Sequence, residues 1–288
     1  MILIVDSGST KCDWISVNKK GEYLLGKMRT KGLNPAILSK TELSEIIISH
    51  VDLNKHKLDV KQIHFYGAGC GTEEPRLLLT QVLESIFINA EIEVKEDTFA
   101  AVRATLSTAK EAAVVCILGT GSNCSYYDGK VLHQRVNSLG YTIMDDASGN
   151  YYGRQLIRDY YFKRMPQTLR SAFADTYNLD TDIIKYNLYK QSNPNAYLAG
   201  FAEFMFAKKD SSDYIKELIK KGLRLFSETM ILQFQDEIKT VPVHFSGSIA
   251  HFSKEEIIEV AQEFGYSVGN IIRRPIDGLV SYHTNRKE

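Results

Sequence analysis

Two turns built from small residues are the part of this sequence whose composition and spacing could bind a ligand. The first is Asp6-Ser7-Gly8-Ser9-Thr10-Lys11 and the second is Gly119-Thr120-Gly121-Ser122, and each follows an apolar segment that is predicted to be a strand. A turn of this kind exposes backbone N–H groups and hydroxyls with little side-chain bulk, which suits a polyphosphate. One such turn could be a plain hairpin. Two in corresponding positions predict a clamp that holds the phosphates of ATP between two halves of the protein.

Two further features could complete such a site. Asp6 ends the first predicted strand, and a carboxylate there can hold Mg²⁺ directly or through water, because this hard cation prefers oxygen ligands. Near the C-terminus a third turn, Ser246-Gly247-Ser248, follows a buried strand predicted at Val241–Phe245. Its backbone could lie against an adenosine. ATP and Mg²⁺ are therefore the expected ligands.

The elements that must position these turns follow a repeated order. A strand, a small-residue turn and two more strands run through residues 2–25, with the third strand at Tyr23–Leu25, and the same order returns at residues 112–134. This pattern predicts an internal duplication. Helical spacing alternates with short apolar strands between the copies, and Tyr151–Phe234 is predominantly helical, so the class is mixed α/β. Only a final turn is expected at Pro275–Leu279.

Length and composition narrow the class of protein. A chain of 288 residues predicts two domains. Lys+Arg and Asp+Glu are balanced at 35 each, which argues against nucleic acid as a partner, and the absence of a run of about 18 apolar residues argues against a membrane span. No signal peptide is predicted, so we expect a cytoplasmic protein with a small-molecule partner. The four cysteines lack metal-site spacing and are expected to be reduced bystanders: Cys12, Cys70, Cys116 and Cys124.

The order of these motifs resembles the sugar kinase, heat-shock protein 70 and actin superfamily. Within it, the chain is most similar to the BadF/BadG/BcrA/BcrD-type ATPases and the N-acetylglucosamine kinases. The similarity covers essentially the whole chain, in the segments Asp6–Lys11, Gly32–Pro35, Asp97–Ala104, Gly119–Ser122, Gly140–Gly149 and Phe245–Ser248. It implies a two-domain actin-like ATPase (ribonuclease H-like) fold, with duplicated βββαβα lobes at residues 1–107 and 108–288 and a central cleft.

The resemblance also implies roles for particular residues. Two sets would bind the ATP phosphates, namely Gly8, Ser9, Thr10 and Lys11 in the first turn and Gly119, Thr120, Gly121 and Ser122 in the second. Gly247 and Ser248 would bind adenosine. Asp97, before a small-residue helix, would be the base that takes a proton from the attacking sugar hydroxyl. Asp is also favoured as the N-cap of any helix, so a purely structural role for Asp97 stays open.

Two segments resemble the sugar side of such a site. Asn34 lies in Gly32-Leu33-Asn34-Pro35, where its amide could both donate and accept, although an ordinary Asn-Pro turn is an alternative. The second segment is Gly140–Gly149. It would bind the sugar through Gly140, Asp145, Asp146 and Ser148, or it would supply an acidic N-cap to the helix that follows. It departs from the family, since Met144 and Ala147 replace glycines and Asp146 replaces a glutamate. The loop Gly67–Gly71 lacks dinucleotide-binding spacing and is expected to face the substrate or to pack.

The resemblance implies an ATP-dependent kinase that phosphorylates an amino sugar, N-acetylglucosamine or N-acetylmuramic acid. Two alternatives stay open. One is an ATPase activator of the 2-hydroxyacyl-CoA dehydratase or benzoyl-CoA reductase type, which needs an iron–sulfur cluster between two subunits. The other is a sensor that binds ATP and sugar without catalysis. Relatives are often dimers, so the resemblance admits a homodimer.

Overall fold

The computed structural model describes residues 1–8, 11–106, 108, 110–191 and 193–284. Its strands, in chain order, are β1 (Ile2–Ser7), β2 (Lys11–Val17), β3 (Met28–Lys31), β4 (Gln62–Gly67), β5 (Glu91–Glu96), β6 (Ala113–Leu118), β7 (Ser122–Tyr127), β8 (Leu132–His133), β9 (Val243–Ser246) and β10 (Val268–Ile272). Its α-helices are α1 (Lys40–Ile48), α2 (Val51–Lys55), α3 (Glu73–Ile86), α4 (Asp97–Thr105), α5 (Gly149–Tyr161), α6 (Gln167–Thr176), α7 (Thr181–Tyr189), α8 (Pro194–Gly200), α9 (Ala202–Lys208), α10 (Asp213–Thr229), α11 (Ser248–Phe252), α12 (Lys254–Phe264) and α13 (Pro275–Thr284). Short 3₁₀ turns occupy Lys209–Ser211, Ile231–Phe234 and Glu237–Lys239.

The chain divides into two compact units. The first is Met1–Leu106 together with the C-terminal segment from Arg274, and the second is the intervening Ser107–Arg273. None of the helices in the described ranges is both long and apolar enough to cross a bilayer.

The first unit is built on a mixed sheet with the strand order β3-β2-β1-β4-β5. Strands β1, β2 and β3 form an antiparallel meander, and β4 and β5 continue the sheet parallel to β1. β1 is central and its apolar residues are buried, as expected of a strand covered on both faces. Helices α1, α2 and α3 cover one face. The third strand, predicted at Tyr23–Leu25, makes only a bridge to Val17, and regular pairing resumes at β3.

The second unit repeats this topology. Its sheet has the order β10-β9-β6-β7-β8, with β6, β7 and β8 antiparallel and β9 and β10 parallel to β6. The predicted duplication is therefore confirmed at the level of topology. Helices α5 to α10 are inserted between β8 and β9, which confirms the predicted helical region, and their apolar faces join the core of this unit. β10 was not predicted, because Gly269 and Asn270 interrupt its apolar pattern.

The C-terminal segment differs from the prediction. It forms helix α13 instead of a turn, and the helix packs on the first unit, although the sequence analysis placed it in a lobe of residues 108–288. The reason is that its apolar face is buried against the sheet residues of that unit, through Ile276, Leu279 and Val280. Gly278 allows close packing on α4, since a Cβ there would lie 2.6 Å from the carbonyl oxygen of Ala104.

Candidate active site

Three loops of the first unit meet at Ser7. Its Oγ accepts a hydrogen bond from the N–H of Leu33 at 2.9 Å, and its carbonyl oxygen accepts one from Ala68 at 2.9 Å. Ser7 is fully buried. Parallel strands end at one edge of a sheet, so the segments after β1 and β4 are neighbours there. The sequence analysis gave Ser7 no role, and its place between Asp6 and Gly8 was the only signal that could have drawn attention to it.

Asp6 and Asp97 lie at this edge of the sheet. Asp6 is near the end of β1, and Asp97 begins α4 directly after β5. The pKa of Asp6 is raised to about 7, first by burial and then by the negative charge of Asp97. The pKa of Asp97 is raised to about 6, first by burial and then by Glu96, although hydrogen bonds from backbone N–H groups oppose the shift. The site therefore favours either protonation or a bound cation at these carboxylates.

Asp97 is the first residue of α4, and Glu96 occupies the N-cap position. The backbone N–H of Thr98 stabilises the ionised Asp97 carboxylate, but Asp97 is not the N-cap that the capping alternative predicts. Its elevated pKa and its nearness to Asp6 are properties that a plain cap does not need. The buried Thr98 hydroxyl has no hydrogen-bond partner among the described residues. A polar group at the helix start is thus left for a ligand or water.

Asn34 is held in a turn. Its Oδ1 accepts a hydrogen bond from the N–H of Ala36 at 3.0 Å, as the Asn-Pro turn alternative predicts. Gly69 has a φ of +80°, and a Cβ there would overlap Asn34 Oδ1. A Cβ on Gly71 would lie 2.9 Å from Glu96 Oε2. The Gly67–Gly71 loop therefore packs between the Asn34 turn and the residue before Asp97.

The first small-residue turn offers open space. The N–H of Gly8 donates to the carbonyl of Lys11 at 3.0 Å. A Cβ on Gly8 would have that same oxygen as its nearest atom, 3.8 Å away, so none of the other described residues fills the space over this glycine. Ser9 and Thr10 lie outside the described residues. Lys11 is exposed at the start of β2, and its positive charge opposes the rise in the pKa of Asp6.

The second turn is also open on one side. The N–H of Gly119 donates to the carbonyl of Gly121 at 2.9 Å, and a Cβ on Gly119 would meet no atom of the described residues within 4 Å. The start of α5 holds this turn from behind, since Gly149 donates to the carbonyl of Gly119 at 2.7 Å and Asn150 to that of Thr120 at 3.1 Å. The turn is therefore open to a ligand on the side of Gly119.

Asp145 contacts this second turn. Its Oδ1 accepts a hydrogen bond from the N–H of Ser122 at 3.3 Å, and its Oδ2 accepts one from Asn150 Nδ2 at 2.9 Å. A Cβ on Gly121 would lie 2.9 Å from Asp145 Oδ2. Asp145 and Ala147 have φ values of 68° and 56°, in the left-handed region where glycine is favoured.

The other residues expected on the sugar side have separate roles. Ser148 is the N-cap of α5, and its Oγ accepts a hydrogen bond from the N–H of Tyr151 at 3.2 Å. The alternative of an acidic N-cap is therefore wrong, because the capping residue is a serine. Gly140 has a φ of +79°, and its carbonyl closes a tight turn with Met144. The pKa of Asp146 is raised chiefly by burial. Asp145 contacts the second turn directly, and Ser148 precedes Gly149, which donates to Gly119. Among the described residues, no hydrogen bond joins Gly140 to this turn.

The third turn lies against the second. Gly247 has a φ of +121°, and a Cβ there would overlap the carbonyl of Leu118 and lie 3.2 Å from the nitrogen of Gly119. Only glycine fits at this position. Ser248 is exposed and begins α11, and the buried Ser246 hydroxyl has no partner among the described residues. The second unit therefore joins the predicted phosphate and adenosine turns.

The acidic side chains at this site suit a cation that takes most of its ligands from phosphate and water. No cluster of three or more His, Cys, Asp or Glu side chains able to hold a metal occurs in the described ranges. Asp6 is then the candidate ligand, and the remaining positions around Mg²⁺ would be filled by phosphate oxygens and water, as is usual for this ion.

Comparison with solved structures finds relatives over the whole chain. A candidate N-acetylglucosamine kinase from Porphyromonas gingivalis is 33% identical, with a TM-score of 0.91 and 100% of each chain covered. A candidate N-acetylglucosamine kinase from Chromobacterium violaceum is 13% identical, with a TM-score of 0.71 and 98% of each chain covered. A ROK-family glucokinase from Streptomyces griseus, in complex with glucose and AMPPNP, is 12% identical, with a TM-score of 0.61 and 99% of each chain covered.

These superpositions confirm the predicted actin-like ATPase fold of sugar kinases. No protein-family model matches the chain, and neither does any curated protein. The resemblance to the BadF/BadG/BcrA/BcrD-type ATPases therefore stays a prediction.

Proposed function

Since this chain belongs to the same family as the candidate N-acetylglucosamine kinase of Porphyromonas gingivalis, we propose that it is a Mg²⁺-dependent kinase. It transfers the γ-phosphate of ATP to a hydroxyl of an N-acetylated amino sugar, N-acetylglucosamine or N-acetylmuramic acid. The observation that carries this proposal is the 33% identity over the full length of both chains. The glucokinase with bound glucose and AMPPNP supports sugar and nucleotide as the ligand classes of this fold.

Asp97 is the base of the proposed reaction. Its pKa of about 6 leaves it largely ionised at neutral pH, yet makes it a stronger base than an ordinary aspartate. The hydrogen bond from Thr98 fixes the carboxylate at the helix start. An ionised Asp97 accepts the proton of the attacking sugar hydroxyl as that oxygen bonds to the γ-phosphorus of ATP. The bond from this phosphorus to the β–γ bridging oxygen breaks, and ADP leaves. Phosphoryl transfer needs little covalent help from the protein, so positioning and charge neutralisation supply most of the rate.

Asp6 holds the metal in this proposal. Mg²⁺, when bound with the nucleotide, neutralises negative charge on the phosphate oxygens. A nearby cation would also relieve the repulsion that Asp97 exerts on Asp6. The turns at Gly8 and Gly119 present backbone to the phosphates. Among the described residues, the nearest atom to a Cβ on Gly8 is 3.8 Å away, and none lies within 4 Å of a Cβ on Gly119.

Asn34 is proposed to orient the sugar. Its amide is already fixed by the bond from Ala36 and by packing against Gly69, so little side-chain entropy remains to be lost on binding. Thr98, whose buried hydroxyl lacks a partner among the described residues, lies next to Asp97 and supports a polar ligand there.

The burial of the cysteines argues against the ATPase-activator alternative. An iron–sulfur cluster shared by two subunits needs thiolates at a surface, whereas all four cysteines are buried. Burial also raises the pKa of Cys12 and Cys116 and brings that of Cys70 to about 12, which disfavours the thiolate.

The test is coupled ADP release with Mg·ATP against N-acetylglucosamine, N-acetylmuramic acid, glucosamine and glucose, with a control that lacks sugar. Strong stimulation by one N-acetylated sugar is the expected result. Hydrolysis that does not depend on sugar would favour the activator, and nucleotide binding without turnover would favour the sensor. Either outcome would refute the kinase.

A further inference from the structure

Arg273 lies beside the third turn, at the end of β10. Strands β9 and β10 are parallel, so both end at the same edge of the second sheet. The N–H of Gly247 donates to the carbonyl of Ile272 at 3.0 Å, so Arg273 is one residue beyond a direct contact with the turn. Arg273, the third turn and α11 all belong to the second unit. The main chain of Arg273 is therefore adjacent to the backbone predicted to bind adenosine.

The side chain of Arg273 extends to α11. Its guanidinium carbon is 5.0 Å from the centre of the Phe252 ring, which is a cation–π distance. Helix α11 begins at Ser248, in the third turn, and ends at Phe252. Burial, and then the charges of Lys254 and Arg273, lower the pKa of His251. Both observations place the guanidinium close to the far end of the short helix that starts at this turn.

The guanidinium of Arg273 has a face to spare. Arg273 is exposed, and no carboxylate among the described residues forms an ion pair with it. Its neighbour Arg274 does form one, with Asp277 at 3.4 Å. A guanidinium is planar, so contact with the Phe252 ring leaves one face for a second planar group.

We propose that Arg273 contacts the base of the nucleotide bound at the third turn, by stacking its guanidinium on the face of that base. Arginine stacks on planar π systems, and every nucleobase presents such a face. Helix α11 has five residues and is about 7.5 Å long, so a nucleoside whose ribose lies at Gly247 is long enough to bring its base to Phe252. This inference rests on the proposed function, because it assumes that the third turn binds the adenosine of ATP.

Phe252 supports this role without touching the base itself. Its contact with the guanidinium restricts the long side chain of Arg273 before the ligand arrives, which reduces the entropy lost on binding. A positive charge at this place could instead attract the phosphates of the nucleotide. The two roles differ in whether they need the base and in whether they need a planar group.

A ligand that lacks the base separates the two roles. Arg273→Ala should raise the Kd for Mg·ADP, measured by calorimetry, about fivefold or more, and should leave the Kd for Mg·pyrophosphate within about twofold. Arg273→Lys keeps the charge but removes the planar face, so it should weaken Mg·ADP binding to a similar extent. Arg274→Ala removes the adjacent exposed arginine and is the matched control, in which both affinities should stay within about twofold of wild type.

Three results would overturn the base contact. The first is Mg·ADP affinity near wild type in folded Arg273→Ala, and the second is wild-type affinity in Arg273→Lys, because charge alone would then suffice. The third is an equal loss of Mg·ADP and Mg·pyrophosphate affinity in Arg273→Ala, which would assign the residue to the phosphates. If wild-type protein binds Mg·pyrophosphate too weakly to measure, the comparison of Arg273→Ala with Arg273→Lys decides between the roles.

Failure of the kinase proposal gives a different result. Wild-type protein that binds Mg·ADP but is not stimulated by any sugar refutes the proposed kinase alone, and the Mg·ADP comparison still decides the role of Arg273. Wild-type protein that binds no nucleotide refutes both.

Discussion

The carboxylate of Asp97 lies close enough to that of Asp6 to raise its pKa, although strand β4 separates their two strands in the sheet. Two acidic groups in one buried environment destabilise each other when both are ionised. An arrangement that costs folding free energy in this way is typical of catalytic and cation-binding sites. This arrangement predicts two measurable effects, one of replacing Asp97 and one of pH on activity.

Asp97→Asn should abolish catalysis and stabilise the fold. Loss of a general base typically lowers turnover roughly a hundred- to ten-thousandfold. Because the pKa of Asp97 is raised in the folded state, its ionisation at pH 7 opposes folding, and a neutral amide removes that cost of about 1–3 kcal/mol. Kinetics measures the loss of turnover, thermal unfolding measures the gain in stability, and calorimetry measures the affinity for Mg·ADP. Nucleotide affinity should stay within about threefold, and substantial kinase activity in the variant would refute Asp97 as the base.

Activity should depend on pH through the same group. Since the pKa of Asp97 is about 6, kcat/KM for the sugar at saturating Mg·ATP should be near its plateau above pH 7 and fall as pH drops through about 6. The protonated acid cannot accept the hydroxyl proton. A profile that stays flat down to about pH 4.5 would mean that no group with a raised pKa is required in the ionised form.

The sequence predicts the local parts of this site better than its long-range contacts. Gly8, Gly119 and Gly247 were found because a small-residue turn after an apolar strand is a local pattern. The bond from Ser122 to Asp145 and the packing of α13 on the first unit join residues far apart in the chain, and a single sequence holds no signal for them. Asn34 shows a further limit, because the same residue type suits both a turn and a sugar ligand.

Glu93 should make the fold sensitive to acid. His64 holds the pKa of Glu93 well below its usual range through a 3.0 Å hydrogen bond, and Arg103 adds an ion pair. A lowered pKa contributes stability that is present above the unfolded-state value of about 4.5 and is lost as pH falls below it. Glu93→Gln should cost about 1 kcal/mol at pH 7, because the side chain is 35% exposed and solvent screens the pair. Chemical unfolding at pH 7 and at about pH 4 checks this, and an equal cost at both values would contradict it.

The cysteines should resist labelling in the folded protein. All four are buried, and burial raises the pKa of Cys12, Cys70 and Cys116, so thiolate is scarce at neutral pH. A chromogenic disulfide reagent should react slowly with native protein and quickly with four thiols in guanidinium. Rapid native reaction at one or more thiols would contradict the bystander role that the sequence predicts.

Gly119→Ala separates folding from nucleotide binding at the second turn. A Cβ on Gly119 would meet no atom of the described residues within 4 Å, so the variant should fold with stability within about 1 kcal/mol of wild type. The added methyl would occupy space that the proposal gives to phosphate oxygens, and the KM for ATP should rise roughly tenfold or more while the KM for the sugar changes little. Gly200→Ala is the matched control, because a Cβ there also meets nothing within 4 Å and the residue ends α8. If Gly119→Ala folds and binds Mg·ADP as tightly as Gly200→Ala, the open side of this turn does not face the nucleotide, and the phosphate role of the second turn would have to be withdrawn.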